Sequence, residues 1–450
     1  MTTWKTTPPS WTPLLPPAER ERVRTVLRCI QDYYLARLAA QCNASAGDPG
    51  AGNPAATLGT DDCVGAALLF DYCQRALPGV PDAAAGEAFL DLAIDALATE
   101  DLPPRLLGGF LEVTWAVEHL AALRATPPTT MGTGTEGGPD ADADGLTEID
   151  ETLVGYSART PWPGHYDVVT GLGGIGVYAL ERMPRHRART ILEQVVAQLD
   201  RLAERTNAGV TWHTPLQQVP PLHRREAPAG FYNLGLAHGV PGIIAVLAGA
   251  AATGVATERA WELLDGAVAW LLSRQLPPDA GSCFSPFIVP GAVPQTCRLG
   301  WCYGDAGISI ALLLAARLVH RQDWERKAIA IALSAAGRSL PDSRVEDALL
   351  CHGTAGLGHI FNRLWQATGD ARLWAAARFW LGDTLRRFDE AGGLDGFASI
   401  NQGQRESGTG LLAGCCGVGL ALAAAACETP PNWDRIMLMS VPGRRTGRET

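Results

Sequence analysis

The chain has 450 residues, 47% of them hydrophobic and 19% charged, enough to bury a large interior, which excludes global disorder and a highly charged coiled coil. Its 37 basic and 47 acidic side chains leave a net charge of −10, so a phosphate-tracking surface is not expected and nucleic acid is not a candidate partner. Fifty glycines exceed the usual ~7% without a Gly-X-Y period, and that excess calls for recurrent tight turns.

In chain order, residues 1–18 form a Pro-rich segment that turns charged at Glu19, Arg20, Glu21 and Arg22. They lack the basic-then-apolar pattern of a secretion signal, which predicts a cytoplasmic protein. Eleven cysteines run from Cys29 to Cys427, an odd number that favours free thiols or metal ligands over a disulfide framework. The body, residues 19–427, reads as a single domain organised by one turn, Gly-x-x-Gly followed by an aliphatic residue. It occurs at Gly171–Gly174, Gly239–Gly242, Gly304–Gly307, Gly353–Gly356 and Gly414–Gly417, with weaker copies near Cys63–Gly65 and Gly108–Gly109.

After each turn the chain becomes rich in Ala, Leu and Ile, as suits a helix surrounded by protein. Repeats of roughly sixty residues leave room for two helices and two loops. The first glycine is expected to permit a sharp start to the helix, and the second to remove bulk where neighbouring helices crowd. About seven helical hairpins are therefore predicted, forming an all-α (α/α) toroid with an inner and an outer ring of helices.

Residues 126–150 lack apolar periodicity and are expected to be a mobile excursion from the body. Asp140, Asp142 and Asp144 have part of a calcium-loop spacing but lack its glycine and terminal glutamate. Gly239 to Thr257 and Ser407 to Cys427 are long enough to span a bilayer, yet Gly or Pro breaks both, and equivalent segments carry Asp305 or Arg317. Buried helices are expected, with no integral membrane span. The Pro-rich start and residues 428–450, ending in Arg444, Arg445 and Arg448, are expected to be appendages of the body.

Closing such hairpins into a ring brings equivalent turns to one region. Immediately before each first glycine stand Thr170, His238, Tyr303, His352 and Ala413; one position earlier stand Val169, Ala237, Cys302, Cys351 and Leu412. Cys302, Cys351 and His352 thus form a candidate Cys-Cys-His set, the three-ligand arrangement of zinc sites that keep a fourth position open. Taken singly they would be buried thiols and a core histidine; repeat equivalence favours the metal, Zn2+.

The segments "NLGLAHGVPGI", "RLGWCYGDAGI", "CHGTAGLGHI" and "YDVVTGLGGIG" resemble the lanthionine synthetase cyclases, the LanC-like family, over about residues 60–427. The most specific part is Trp-Cys-Tyr-Gly followed some fifty residues later by Cys-His-Gly. The resemblance implies a toroid of seven inner and seven outer helices, a single zinc, and a ribosomally made precursor peptide, leader plus core, already dehydrated at serine and threonine. A dehydratase and a transporter are the further partners considered.

The implied chemistry is the attack of a peptide cysteine on dehydroalanine or dehydrobutyrine, closing a (methyl)lanthionine thioether. A free thiol is mostly protonated at pH 7 and needs activation, which a metal with a vacant position supplies. His238 is the candidate proton donor to the resulting enolate. Asp167 reads either as the partner of that histidine or as a helix cap, and the resemblance favours the partner. Arg298 and Tyr303 are supporting candidates: Arg298 for the developing oxyanion or for orienting Asp167, Tyr303 as a hydrogen-bond donor. Cys297, Cys415 and His359 miss the matched positions and read as core. Two alternatives are a zinc-dependent peptide-thiol transferase of the prenyltransferase type and a noncatalytic peptide-binding scaffold. The first requires a basic cluster for diphosphate, and the second a closed four-ligand metal site.

Overall fold

A computed structural model of the chain describes residues 4–5, 11–45, 58–76, 83–125, 144–401, 404–406 and 408–443. The N-terminal half carries α1 (Pro17–Ser45), α2 (Thr60–Ala76), α3 (Ala83–Thr99), α4 (Phe110–Ala125), α5 (Thr147–Ser157), α6 (Leu172–Arg182) and α7 (His186–Leu202). Then come α8 (Val240–Ala252), α9 (Thr257–Leu272), α10 (Asp305–Leu318), α11 (Gln322–Ala336) and the single turn α12 (Leu340–Ser343). Finally come α13 (Thr354–Thr368), α14 (Ala371–Ala391), the single turn α15 (Gly410–Ala413) and α16 (Cys415–Ala426).

Helices α2, α4, α6, α8, α10, α13 and α16 each pack on the next, and α16 packs on α2, closing the ring. Every residue of α6 and α10 is buried, as expected for helices enclosed on all sides. Helices α1, α3, α5, α7, α9, α11 and α14 lie outside and are one-sided. In α7, for example, Ile191, Leu192, Val195, Val196 and Leu199 are buried at helical spacing. The predicted toroid is the observed architecture.

The matched positions before the glycines are tied together by backbone hydrogen bonds running around the ring. The amide of Val169 donates to the carbonyl of Ala237 (3.3 Å), Ala237 to Cys302 (3.3 Å), Cys302 to Cys351 (3.3 Å) and Cys351 to Leu412 (3.1 Å). Repeat equivalence in sequence is thus a physical contact, and it places the cysteines of adjacent repeats side by side.

Both glycines of the turn are needed for a reason partly different from crowding between helices. A Cβ on Gly304, where φ is +105°, would lie 2.0 Å from the carbonyl oxygen of Arg298; on Gly356 it would lie 1.9 Å from that of Leu350. The loop curls back on itself, and its own backbone occupies the space a side chain would take.

Short strands, invisible as periodicity, accompany the helices. β1 (Glu204–Thr206) pairs with β2 (Gly209–Thr211); β3 (His213–Thr214), β4 (Phe231–Asn233) and β5 (Phe287–Ile288) form an antiparallel sheet in that order; β6 (Ser399–Asn401) pairs with β7 (Gln404–Glu406).

Two expectations are corrected at the ends of the body. Residues 428–443 are not an appendage: Trp433, Ile436, Met437, Leu438 and Met439 are buried. Asp434 bonds His359 (2.7 Å) and Arg363 (2.6 Å), and Arg435 bonds Glu181 (2.6 Å), so the segment is held by inner helices α13 and α6. At the other terminus, the Trp11 indole N–H donates to Ala424 O (2.7 Å), and Leu14 and Leu15 are buried. The excursion proposed for 126–150, with Asp140 and Asp142, lies outside the described residues as far as 143. Its end at Asp144 is pinned by Arg182 (2.7 Å) and Arg185 (2.9 Å). All eleven cysteines are free thiols. No described helix is long and apolar enough to cross a membrane.

Candidate functional site

The loop before α10 supplies Cys302 and Tyr303, and the loop before α13 supplies Cys351 and His352. One ligand atom from each of Cys302, Cys351 and His352 lies within 4.8 Å of the others. Cys302 Sγ is 4.0 Å from His352 Nδ1, and His352 Nε2 is 3.4 Å from Asp347 Oδ2. One imidazole nitrogen therefore faces the sulfurs while the other faces a carboxylate, the division of labour found in metal-ligating histidines.

The three groups set one another's protonation. The hydrogen bond with Cys351, helped by His352 and the Arg298 guanidinium, holds Cys302 well below the ordinary thiol value; the same contact pushes Cys351 well above it. Burial pulls His352 down, but Asp347 and Cys302 outweigh it and lift it to about 9. Two sulfurs and an imidazole crowded around shared negative charge form a donor set suited to zinc. Among the described residues no fourth Cys, His, Asp or Glu joins the group.

Next to the triad, Asp167 Oδ2 lies 2.9 Å from His238 Nδ1. Asp167 also accepts the Thr170 amide (2.6 Å) and hydroxyl (3.0 Å), so it braces its own turn and holds the histidine at once. Burial opposes the charged form of His238, but the bond to Asp167 outweighs it and raises the imidazole above its usual range. Asp167 is held low by His238 despite its burial.

Arg298 does not reach Asp167. Its guanidinium donates instead to Cys302 Sγ at 3.7 Å, because its position six residues before Gly304 puts it against the sulfur of its own turn. Tyr303 stands with its ring centroid 6.4 Å from that of His238, and its hydroxyl meets Asn233 Nδ2 at 2.9 Å.

Asp167, His238, Arg298 and Tyr303 line one cavity of about 870 Å³, together with Phe231 and Phe287 of the small sheet. That volume is in the range of sites that take a substrate. Cys297 lines it too, but it stands outside the triad, its thiol pushed up to about 12 by burial. Cys415 stands apart from this group, and His359 is a core residue bonded to Asp434.

Sequence reasoning missed Asp347 and Asn233. The signal was present: six residues before the first glycine stand His165, Asn233, Arg298 and Asp347 in four of the five turns, with Gly408 in the fifth. Three of them line the cavity and the fourth contacts His352.

Together these features define a helical toroid that gathers a Cys-Cys-His set able to hold a metal ion and an Asp-His pair at the turns leading into its inner helices. Residues 144–438 match the family described as lanthionine synthetase C-like protein, and the chain belongs to that family. It is similar to the nisin biosynthesis protein NisC of Lactococcus lactis subsp. lactis, 24% identical over 290 residues, or 61% of this chain and 64% of that protein. The chain thus spans a little under two thirds of that relative's length. Among solved structures it resembles nisin cyclase with a TM-score of 0.64 and 19% identity, covering 84% of this chain and 90% of that one, a likeness of fold.

Proposed function

We propose that the chain is a zinc-dependent peptide cyclase that adds cysteine thiols to dehydroalanine or dehydrobutyrine in a dehydrated precursor peptide. The observation that carries this reading is that the Asp167–His238 pair lines one substrate-sized cavity with Arg298, whose guanidinium reaches Cys302 Sγ of the Cys302, Cys351 and His352 donor set. Cys302, Cys351 and His352 would hold the ion, which when bound supplies Lewis-acid activation of an incoming thiol.

The remaining chemistry belongs to the chain. The reaction forms one carbon–sulfur bond at the β-carbon and one carbon–hydrogen bond at the α-carbon, at the expense of the thiol S–H bond and the carbon–carbon π bond of the dehydro residue; the thiol proton lost is balanced by the one gained at the α-carbon, and no oxidant is needed. His238, kept protonated by Asp167, is the donor to the α-carbon of the enolate. Tyr303 offers its hydroxyl to the oxygen on which negative charge develops. Arg298, donating to Cys302 Sγ, adds to Cys351 and His352 in holding that thiol low. Phe231 and Phe287 add apolar surface to the cavity wall.

The transferase alternative is disfavoured by charge. The cavity's arginines are Arg298 and Arg344, set against Asp167, Glu226 and Glu346, which does not make a diphosphate cradle. The test is incubation with a synthetic peptide carrying one cysteine and one dehydroalanine. Loss of alkylatable thiol at constant peptide mass supports the reading; thiol retained under all metal conditions overturns it.

A further inference from the structure

We propose that Asn233 is a positioning residue that forces the Tyr303 hydroxyl to donate its proton into the reaction cavity. The inference rests on the cyclase reading above and gives a role to Asn233, the first residue of the segment NLGLAHGVPGI.

Asn233 ends β4 and is 3% exposed. Its amide orientation is fixed by two contacts of opposite character. The backbone N–H of Gly235 donates to Asn233 Oδ1 at 2.8 Å, so that atom is the oxygen and the other is the NH2 group. The NH2 group then lies 2.9 Å from the Tyr303 hydroxyl. An amide nitrogen donates and does not accept, so the tyrosine oxygen is the acceptor of this bond. The hydroxyl hydrogen must therefore point elsewhere.

Both residues line the cavity that also holds His238, Asp167 and Arg298, and Tyr303 stands beside the His238 ring. An incoming substrate oxygen is thus met by a hydrogen whose direction is set before binding. Pre-set donors of this kind act without reorganisation at the moment of reaction. Gly235 itself is fitted closely to this arrangement: a Cβ there would lie 2.5 Å from Cys302 O and 2.7 Å from the Tyr303 ring.

Asn233→Asp separates this role from packing. Aspartate keeps the shape and can still accept from Gly235, but its second oxygen would accept the Tyr303 proton and draw it out of the cavity. With the cysteine–dehydroalanine peptide as probe, kcat should fall about as far as in Tyr303→Phe, on the order of 100-fold for one lost donor. Asn233→Ala leaves the hydroxyl free to turn towards substrate and should lose less, about tenfold or under. In the Tyr303→Phe background, Asn233→Asp should cost little more, because the group it misdirects is gone.

Thermal unfolding checks that each variant is folded. Should Asn233→Asp not fold, the comparison of Asn233→Ala with Tyr303→Phe stands alone, and equal losses overturn the proposal. It is also overturned if Asn233→Asp costs as much in the Tyr303→Phe background as in wild type. A wild-type protein that leaves the probe unchanged would instead overturn the cyclase reading.

Discussion

Replacing Asp167 by asparagine tests the proton-donor assignment through charge with little change of shape. In the structure the carboxylate lies 2.9 Å from the His238 ring nitrogen, and an ionised pair with charge centres some 4 Å apart attracts by ~1 kcal/mol in water and ~4 kcal/mol at a protein surface. The imidazole keeps 37% of its exposure, so solvent screening favours the lower part of that range, about 1.5 kcal/mol. At any given pH, Asp167→Asn should then reduce the protonated-to-neutral ratio of His238 about tenfold.

The sign follows from His238 acting as an acid. Activity is lost as pH rises through its folded pKa, which Asp167 raises, so removing the carboxylate moves the alkaline limb to lower pH. The assay is the pH profile of kcat for thiol loss from the dehydrated peptide, with circular dichroism to show that the fold is kept. On the alkaline limb, at pH values above the folded pKa of both proteins, the variant should be about tenfold slower, with little deficit on the acid side. An alkaline limb that stays in place would refute the reasoning, because the carboxylate would then not set the proton affinity of the donor.

Three further outcomes follow from contacts away from that pair. Asp347→Asn should weaken zinc binding ~10–100-fold in a chelator competition, since the carboxylate orients His352; unchanged affinity would remove that role. Asp434→Ala leaves Arg363 and His359 buried without their acceptor and should destabilise by about 3–5 kcal/mol in denaturant unfolding. Asp434 is held low by Arg363 and His359 against its burial, so its contribution is present above the unfolded carboxylate value near ~4 and fades as pH falls towards the folded one. The gap between wild type and variant should therefore narrow in acid. Gly356→Ala, whose Cβ would lie 1.9 Å from Leu350 O, should cost at least ~1–3 kcal/mol and displace the neighbouring Cys351 and His352, lowering metal content. A variant with wild-type stability and full metal would contradict the tight-loop account.

The ring was legible because its turns repeat, and the repeated positions are joined by backbone hydrogen bonds. Cys302, Cys351 and His352 emerged for the same reason. Asp347 and Asn233 stayed hidden because only the two positions next to the glycine were compared, while the polar set six residues earlier acts through the curl of the loop. The sheet that lines the cavity has strands of two or three residues, too short for alternation to register. The C-terminal segment was misread from its arginines. Its Ile436, Met437, Leu438 and Met439 are core residues, and Asp434 and Arg435 find buried partners on helices distant in sequence, which no local pattern reports.

The metal is the centre of the account, and X-ray absorption at the zinc edge, combined with metal quantification, tests it directly. One zinc per chain bound by two sulfurs and one imidazole nitrogen, falling to substoichiometric occupancy in Cys351→Ala, is the expected result. Zinc enclosed by four protein ligands, or protein that binds none when offered it, would contradict the account.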